Sequence, residues 1–206
     1  MHEDPSSVTR LSRYRQRFDT VTITFHWITL ALIVSQFSTG WLLHAPQFTD
    51  HAALIFALHR CGGAALWLLT LCRLTWRRLF AYLPPFPPSM APLQRLIACW
   101  NEYGLYGLLL IQPLSGLGQI LFRGTPIHMF LGVVGPLPPA SRGVAAALHE
   151  GHEVGAILLS LLIGLHVSAA LFHQLVLRDR IMHRMLPAAY FARRSGKSGA
   201  TAFETL

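Results

Sequence analysis

The chain has 206 residues, of which 52% are hydrophobic and only 13% are charged, and its mean hydropathy is +0.42. Soluble domains carry about 25% charged residues, so the composition excludes an ordinary soluble protein and indicates a membrane protein with little mass outside the bilayer. The net charge of +8 does not predict nucleic-acid binding, because the arginines flank apolar segments instead of forming a basic face with interleaved aromatic residues.

Residues 1–20 form a polar, basic segment without a cleavage-site pattern, and the apolar stretch that follows is long enough to cross a bilayer. We therefore expect a retained cytoplasmic N-terminal segment followed by a first span at about residues 21–43. His26 lies about one and a half turns inside this span. Residues 44–50 contain no Lys or Arg and form a short outer loop.

The second span covers about residues 52–74 and carries His59 two turns from its start, followed by Arg60 and two glycines. Clustered prolines after it preclude a regular helix and predict an inner linker. The third span, about residues 97–122, contains Pro113, Gly116 and Gly118, and we expect a bend there.

A Gly/Pro-rich outer loop precedes the fourth span, at about residues 145–177, which carries His152 and His166. This stretch is longer than a bilayer requires, so we expect its first turns to protrude. Residues 178–206 form a basic cytoplasmic tail. Residues 21–177 thus make up one four-span domain, and no internal repeat is evident.

The predicted fold is an all-α four-helix transmembrane bundle with both termini in the cytoplasm. Of the 17 Lys and Arg residues, four precede the first span, four (Arg73, Arg77, Arg78 and Arg95) lie at the end of the second span or between it and the third, and six follow the fourth. The remaining three are Arg60, Arg123 and Arg142. This asymmetry satisfies the positive-inside rule when both termini are inside.

Depth in the membrane sorts the four intramembrane histidines into two pairs. His152 and His166 are fourteen residues apart, share one helix face, and stand about 21 Å apart along the axis. On the predicted topology His26 shares the inner leaflet with His166, and His59 shares the outer leaflet with His152. Ionisable residues in membrane helices are costly and usually functional, and two such pairs are what a bundle needs to hold two bis-histidine haems.

Other interpretations of these residues stay open at this point. A buried histidine also serves as a satisfied polar group or as a hydrogen bonder between helices, and glycines also serve close helix packing. His149 and His152 could bind a metal at the outer rim, although position 153 is Glu, which excludes a zincin motif. No CxxCH occurs, which excludes covalent c-type haem, and we assign the three cysteines to packing.

The sequence resembles the bacterial cytochrome b561 family from about Tyr14 to Pro187. The similarity is carried by five stretches of the chain, which are Thr24-Phe25-His26-Trp27, Leu58-His59-Arg60-Cys61-Gly62, Tyr106 to Gly116, Phe122-Arg123-Gly124-Thr125-Pro126, and His152-Glu153 followed by Gly164-Leu165-His166. The resemblance implies an inner-membrane cytochrome with two b haems, ligated by His26, His59, His152 and His166. The family includes a superoxide oxidase that reduces ubiquinone.

The hypothesis that follows is a quinone-linked oxidoreductase that takes electrons at its outer face, with superoxide as a candidate donor. Arg60 and Arg123 could attract that anion, but Asp50 and two glutamates offset the outer arginines, which weakens this interpretation. Snorkelling is the alternative role for these arginines. We expect Arg60 to contact a haem propionate. We expect His173 to form a hydrogen bond at the inner edge of the bundle, and a haem propionate is one candidate partner.

Two further functions compete with this hypothesis. One is a cytochrome b subunit that anchors a peripheral dehydrogenase or hydrogenase and accepts its electrons. The chain has neither the long charged docking loop nor the extra helix that would favour this function. The other is a haem-free transporter or polar-residue bundle, which would show no Soret absorption.

Overall fold

The computed structural model describes residues 17–88, 90–124, 126–129, 132–134, 141–179 and 181–186. Four long helices dominate this part of the chain: α1 (Thr20–Leu42), α2 (Ala52–Leu79), α3 (Pro92–Phe122) and α4 (Arg142–Phe172). Each is long and apolar enough to cross a membrane. The predicted all-α four-helix transmembrane fold is therefore confirmed.

Two helix boundaries differ from the expected ones. α3 begins at Pro92 instead of near Ile97, because proline at the first helical position loses no hydrogen bond and the Gln94 side chain accepts one from the Ala91 backbone N–H. α2 continues to Leu79, so Arg77 and Arg78 lie in its last turn, where their charge complements the helix dipole. α3 continues through Pro113 as one helix.

Short elements fill the connections between the helices. A 3₁₀ turn (Pro46–His51) joins α1 to α2, and a small antiparallel hairpin, β1 (Ile127–Met129) with β2 (Gly132–Val134), lies between α3 and α4 in the predicted outer loop. α4 runs on into a π-helical turn (His173–Leu177), which ends at Arg178 in the left-handed conformation with φ 54°. The arginines of residues 1–16 and the tail beyond residue 186 lie outside the described residues.

The four helices pack as two hairpins. α1 packs on α2 to form the first hairpin, α3 packs on α4 to form the second, and α2 contacts α3 between them. Glycines allow the close approach in the second hairpin: a Cβ at Gly104 would meet Leu162, and one at Gly118 would meet Leu148.

The apolar core is small and central. Leu66, Leu109 and Leu159 are buried there, one from each of α2, α3 and α4, and Leu32 and Ile33 of α1 pack against them. Most other large apolar side chains of the described helices are exposed, which is typical of a surface that faces lipid.

Polar contacts are concentrated at the end of the bundle where α1 and α3 begin and where α2 and α4 end. We call this end of the bundle the basic end. Asp19 caps α1 by accepting from the Thr22 backbone N–H at 2.9 Å, and it also accepts from Trp76 Nε1 at 3.1 Å, which ties α1 to α2. The Arg77 guanidinium pairs with the Glu102 carboxylate at 2.9 Å, which ties α2 to α3.

Candidate cofactor sites

The structure brings His26 of α1 and His166 of α4 together near the basic end. Their ring centroids are 6.2 Å apart and their planes are inclined by 54°. His26 is partly buried and His166 is exposed, so protein does not enclose either ring on all sides. Arg73 of α2 lies within electrostatic reach of both imidazoles.

His59 of α2 and His152 of α4 form the second pair, toward the opposite end of the bundle. Their ring centroids are 6.3 Å apart and their planes are inclined by 80°. The structure thus brings together the same two pairs that membrane depth predicts. In each pair α4 contributes one histidine and the first hairpin contributes the other.

Both ring separations fit a metal placed between the imidazoles. Two metal–nitrogen bonds of about 2 Å and two ring radii of about 1.1 Å span roughly 6 Å, which is close to the 6.2 Å and 6.3 Å observed. The four residues therefore have the side-chain chemistry and the spacing for two bis-imidazole iron sites.

Hydrogen bonds fix the orientation of His59 and His152. The Nδ1 atom of His152 lies 3.0 Å from the Gln112 carbonyl oxygen and 3.2 Å from Ser115 Oγ. The Nδ1 atom of His59 lies 3.0 Å from Thr39 Oγ1. The Gln112 carbonyl can only accept, and the Thr39 hydroxyl already donates to the Ser35 carbonyl at 2.8 Å. Nδ1 therefore carries the hydrogen in both rings, and Nε2 keeps the lone pair that ligation requires.

Four glycines give these side chains room. A Cβ at Gly40 would lie 3.5 Å from His59 Cε1, and one at Gly116 would lie 3.0 Å from His152 Cε1. A Cβ at Gly62 would overlap the Gln36 amide, and one at Gly155 would overlap the Gln112 amide. At Gly62, Gly116 and Gly155 the facing side chain would have to shift to admit a Cβ, whereas at Gly40 a Cβ would make an ordinary van der Waals contact.

These contacts reveal a short internal repeat, so the expectation that the chain has no internal repeat was wrong. The first helix of each hairpin carries Gln-x-x-Thr/Ser-Gly and the second carries His-x-x-Gly. The residues are Gln36, Thr39, Gly40, His59 and Gly62 in the first hairpin and Gln112, Ser115, Gly116, His152 and Gly155 in the second. Sequence reasoning missed the glutamines and the hydroxyl residues. The repeated Gln-x-x-Thr/Ser-Gly pattern was the available signal.

The two hairpins differ at the basic end. His166 stands fourteen residues after His152, whereas Arg73 stands fourteen residues after His59. The Arg73 guanidinium lies 5.3 Å from the centre of the Tyr106 ring. At the basic end, the second hairpin therefore carries a histidine, His166, where the first hairpin carries a charged residue, Arg73.

The secondary candidates make other contacts. The Arg60 guanidinium lies over the Phe56 ring, 5.1 Å from its centre, and Arg123 is the exposed C-cap of α3. His173 is buried, and its Nδ1 atom is hydrogen-bonded to the Asp179 carboxylate. The expected hydrogen bond at the inner edge thus has a protein partner, and the roles toward propionates and anions stay predictions.

The two histidines of the alternative metal site at the outer rim both have protein partners at Nδ1. His149 Nδ1 lies 2.8 Å from the Gln119 side-chain oxygen, and the Nδ1 atom of His152 is bonded to the Gln112 carbonyl. Within the described ranges, no group of three or more His, Cys, Asp or Glu residues could hold a metal ion.

Comparison with known proteins gives consistent results. The family described as prokaryotic cytochrome b561 matches residues 17–188. The chain is 29% identical over 176 residues to cytochrome b561 homolog 1 of Escherichia coli (strain K12), with 83% of this chain and 97% of that protein covered. It is 26% identical over 173 residues to the probable superoxide oxidase CybB of Yersinia pestis, with 84% and 97% covered.

Proposed function

Because this chain belongs to the prokaryotic cytochrome b561 family, and is thus a bacterial multi-pass membrane protein that transfers electrons through haem b, we propose that it holds two haems. His26 and His166 would ligate one, and His59 and His152 the other. The observation that carries the proposal is the presence of two imidazole pairs with centroid separations of 6.2 Å and 6.3 Å. We place the protein in the inner membrane.

The four histidines would hold the two haems, and the apolar residues between them would keep water away. A bound haem supplies a one-electron ferric/ferrous couple. The paired imidazoles would hold the iron from two sides and would leave no open site for oxygen. Hydrogen bonds to the backbone carbonyls of Gln36 and Gln112 orient two of the four rings. Leu66, Leu109 and Leu159 form a buried apolar cluster in the centre of the bundle, which excludes water there.

Haem quantitation in purified variants tests the number of haems and the pairing together. We expect two b haems per chain in the unmodified protein and one in each single His→Ala variant at positions 26, 59, 152 and 166. The double variant His59→Ala/His152→Ala should keep one haem, because both changes remove ligands of the same iron. The double variant His59→Ala/His166→Ala should keep none.

His149→Ala is the matched control, because His149 lies on α4 beside the site and is bonded to Gln119 instead of facing another histidine. This variant should retain both haems. One haem per unmodified chain, or a His59→Ala/His152→Ala variant without haem, would contradict the proposed pairing.

We further propose that superoxide is the donor and a quinone the acceptor. Two superoxide anions would each lose one electron and become O₂, and the quinone would take both electrons and two protons to form quinol. The similarity to a probable superoxide oxidase supports this reaction. Arg60 and Arg123, at the end of the bundle away from the basic end, supply positive charge that could attract the anion.

The test is quinol formation by the purified holoprotein with enzymatically generated superoxide and a soluble ubiquinone. An Arg60→Gln/Arg123→Gln variant with full haem content should react more slowly, and the difference should shrink at high ionic strength because salt screens the attraction. No quinol formation, together with a co-purifying dehydrogenase or hydrogenase subunit, would favour the anchor function instead.

A further inference from the structure

The hydroxyl groups of Thr39 and Ser115 occupy equivalent positions in the two hairpins. Thr39 Oγ1 donates to the Ser35 carbonyl at 2.8 Å, and Ser115 Oγ donates to the Gln112 carbonyl at 2.8 Å. The hydroxyl hydrogen is thereby directed into its own helix. Each oxygen is left as an acceptor that faces the Nδ1–H group of a histidine on the next helix.

The other histidine pair has no such support. Across the described part of the chain, the ring nitrogens of His26 and His166 have no hydrogen-bond partner. The planes of that pair are inclined by 54°, whereas those of His59 and His152 are inclined by 80°. The hydroxyl contacts therefore accompany one pair only, and that pair is the nearly perpendicular one.

We propose that Thr39 and Ser115 are positioning residues that hold the imidazole planes of His59 and His152 nearly perpendicular and so set the electronic character of one haem. The inference rests on the proposed ligation by these two histidines. Each hydroxyl acts together with the Gln36 or Gln112 carbonyl, so that two acceptors on one helix fix the rotation of a ring on its neighbour.

Two measurable properties follow from this geometry. The angle between two axial imidazole planes sets the anisotropy of the ferric low-spin electron paramagnetic resonance signal, which is largest when the planes are perpendicular. Acceptors at Nδ1 raise the basicity of the ligand, which stabilises ferric iron and lowers the midpoint potential. The haem held by His59 and His152 should thus show the more anisotropic signal.

The experiment uses the purified, oxidised holoprotein and the variants Thr39→Val, Ser115→Ala and their combination. We expect the largest g value of one low-spin signal to decrease in each single variant and further in the double variant. The midpoint potential of that same haem should rise. The signal and potential of the second haem should stay unchanged.

Conservative and control variants distinguish a positioning role of the two hydroxyl groups from a general loss of structure. Thr39→Ser and Ser115→Thr keep the hydroxyl and should restore the original signal. Ser160→Ala removes an α4 hydroxyl that donates to the Ala156 carbonyl of its own helix, at 2.9 Å, and should change neither haem.

Two outcomes would overturn the inference. In one, the double variant keeps the original g values of both signals. In the other, the signals of both haems change equally or both haems are lost, which would indicate a general structural role. Failure of the proposed function has a different signature. It appears as a haem content other than two in the unmodified protein, or as retention of both haems by His59→Ala.

Discussion

Gly155 illustrates how one missing side chain allows two helices to fit. Its Cα faces the Gln112 amide, whose Nε2 donates to the His152 carbonyl oxygen at 2.8 Å. A methyl group at position 155 would displace that amide and break the hydrogen bond. The consequence for stability can be measured against another glycine of the same helix.

Gly155→Ala should lower the free energy of unfolding relative to Gly151→Ala. Loss of the Gln112 hydrogen bond costs about 1 kcal/mol, whereas Gly151 is exposed with nothing near its Cβ position, so alanine there should gain roughly 0.5–1 kcal/mol of helix propensity. We expect a difference of about 1–2 kcal/mol by thermal unfolding in detergent, followed by circular dichroism. Equal midpoints for the two variants would show that the amide relocates without cost.

The sequence predicts the four histidines well because depth in a membrane follows directly from position along a span. His26, His59, His152 and His166 could therefore be paired without a structure, although ligation itself stays a prediction. Gln36, Thr39, Gln112 and Ser115 could not be assigned in the same way. Their role depends on which helix face meets which neighbour, and polar residues near a helix end look like ordinary loop-proximal residues.

At the scale of the elements, Asp19 couples the start of α1 to the end of α2. Burial alone would raise the pKa of the Asp19 carboxyl, but hydrogen bonds from Thr22 and Trp76 outweigh it and hold the pKa below its ordinary value of 3.8. The carboxylate therefore contributes its full stabilisation above pH 3.8. That contribution is lost as the pH falls through the lower folded-state pKa.

Asp19→Ala should destabilise the protein by about 0.5–2 kcal/mol at neutral pH, because it removes the N-cap of α1. Asp19→Asn keeps a capping oxygen and should lose much less. The variants should approach the unmodified protein in stability as the pH is lowered below 3.8, as measured by the unfolding midpoint. A difference between Asp19→Ala and the unmodified protein that is constant across this range would contradict the proposed role of the ionised carboxylate.

Element boundaries were predictable where composition changes abruptly and less so elsewhere. The start of α3 was missed because Pro92 was interpreted as part of the linker, whereas a proline can also occupy the first turn of a helix. The β1–β2 hairpin was missed because its strands have only three residues each and depend on pairing with one another. The long helices were predictable because an apolar run of that length has few alternatives in a membrane.

For the whole molecule, the distribution of basic residues predicts that both termini face the cytoplasm. A green fluorescent protein fused to the C-terminus should fluoresce, because the reporter matures in the cytoplasm. Alkaline phosphatase fused at the same position should be inactive, because it requires the oxidising periplasm. The reverse result, a dark fluorescent fusion and an active phosphatase, would place the basic end outside.

Each histidine pair joins the two hairpins, since His26 and His59 belong to the first hairpin and both partners belong to α4 of the second. If these pairs ligate haem as proposed, haem insertion would also be an assembly step, in which iron links one half of the polypeptide to the other. A cell short of iron or porphyrin would make chains that lack these two links and whose halves are joined by the remaining protein contacts, such as the central cluster of Leu66, Leu109 and Leu159. Quality-control proteases would remove such chains, so the amount of this protein in the membrane would follow the cell's supply of haem.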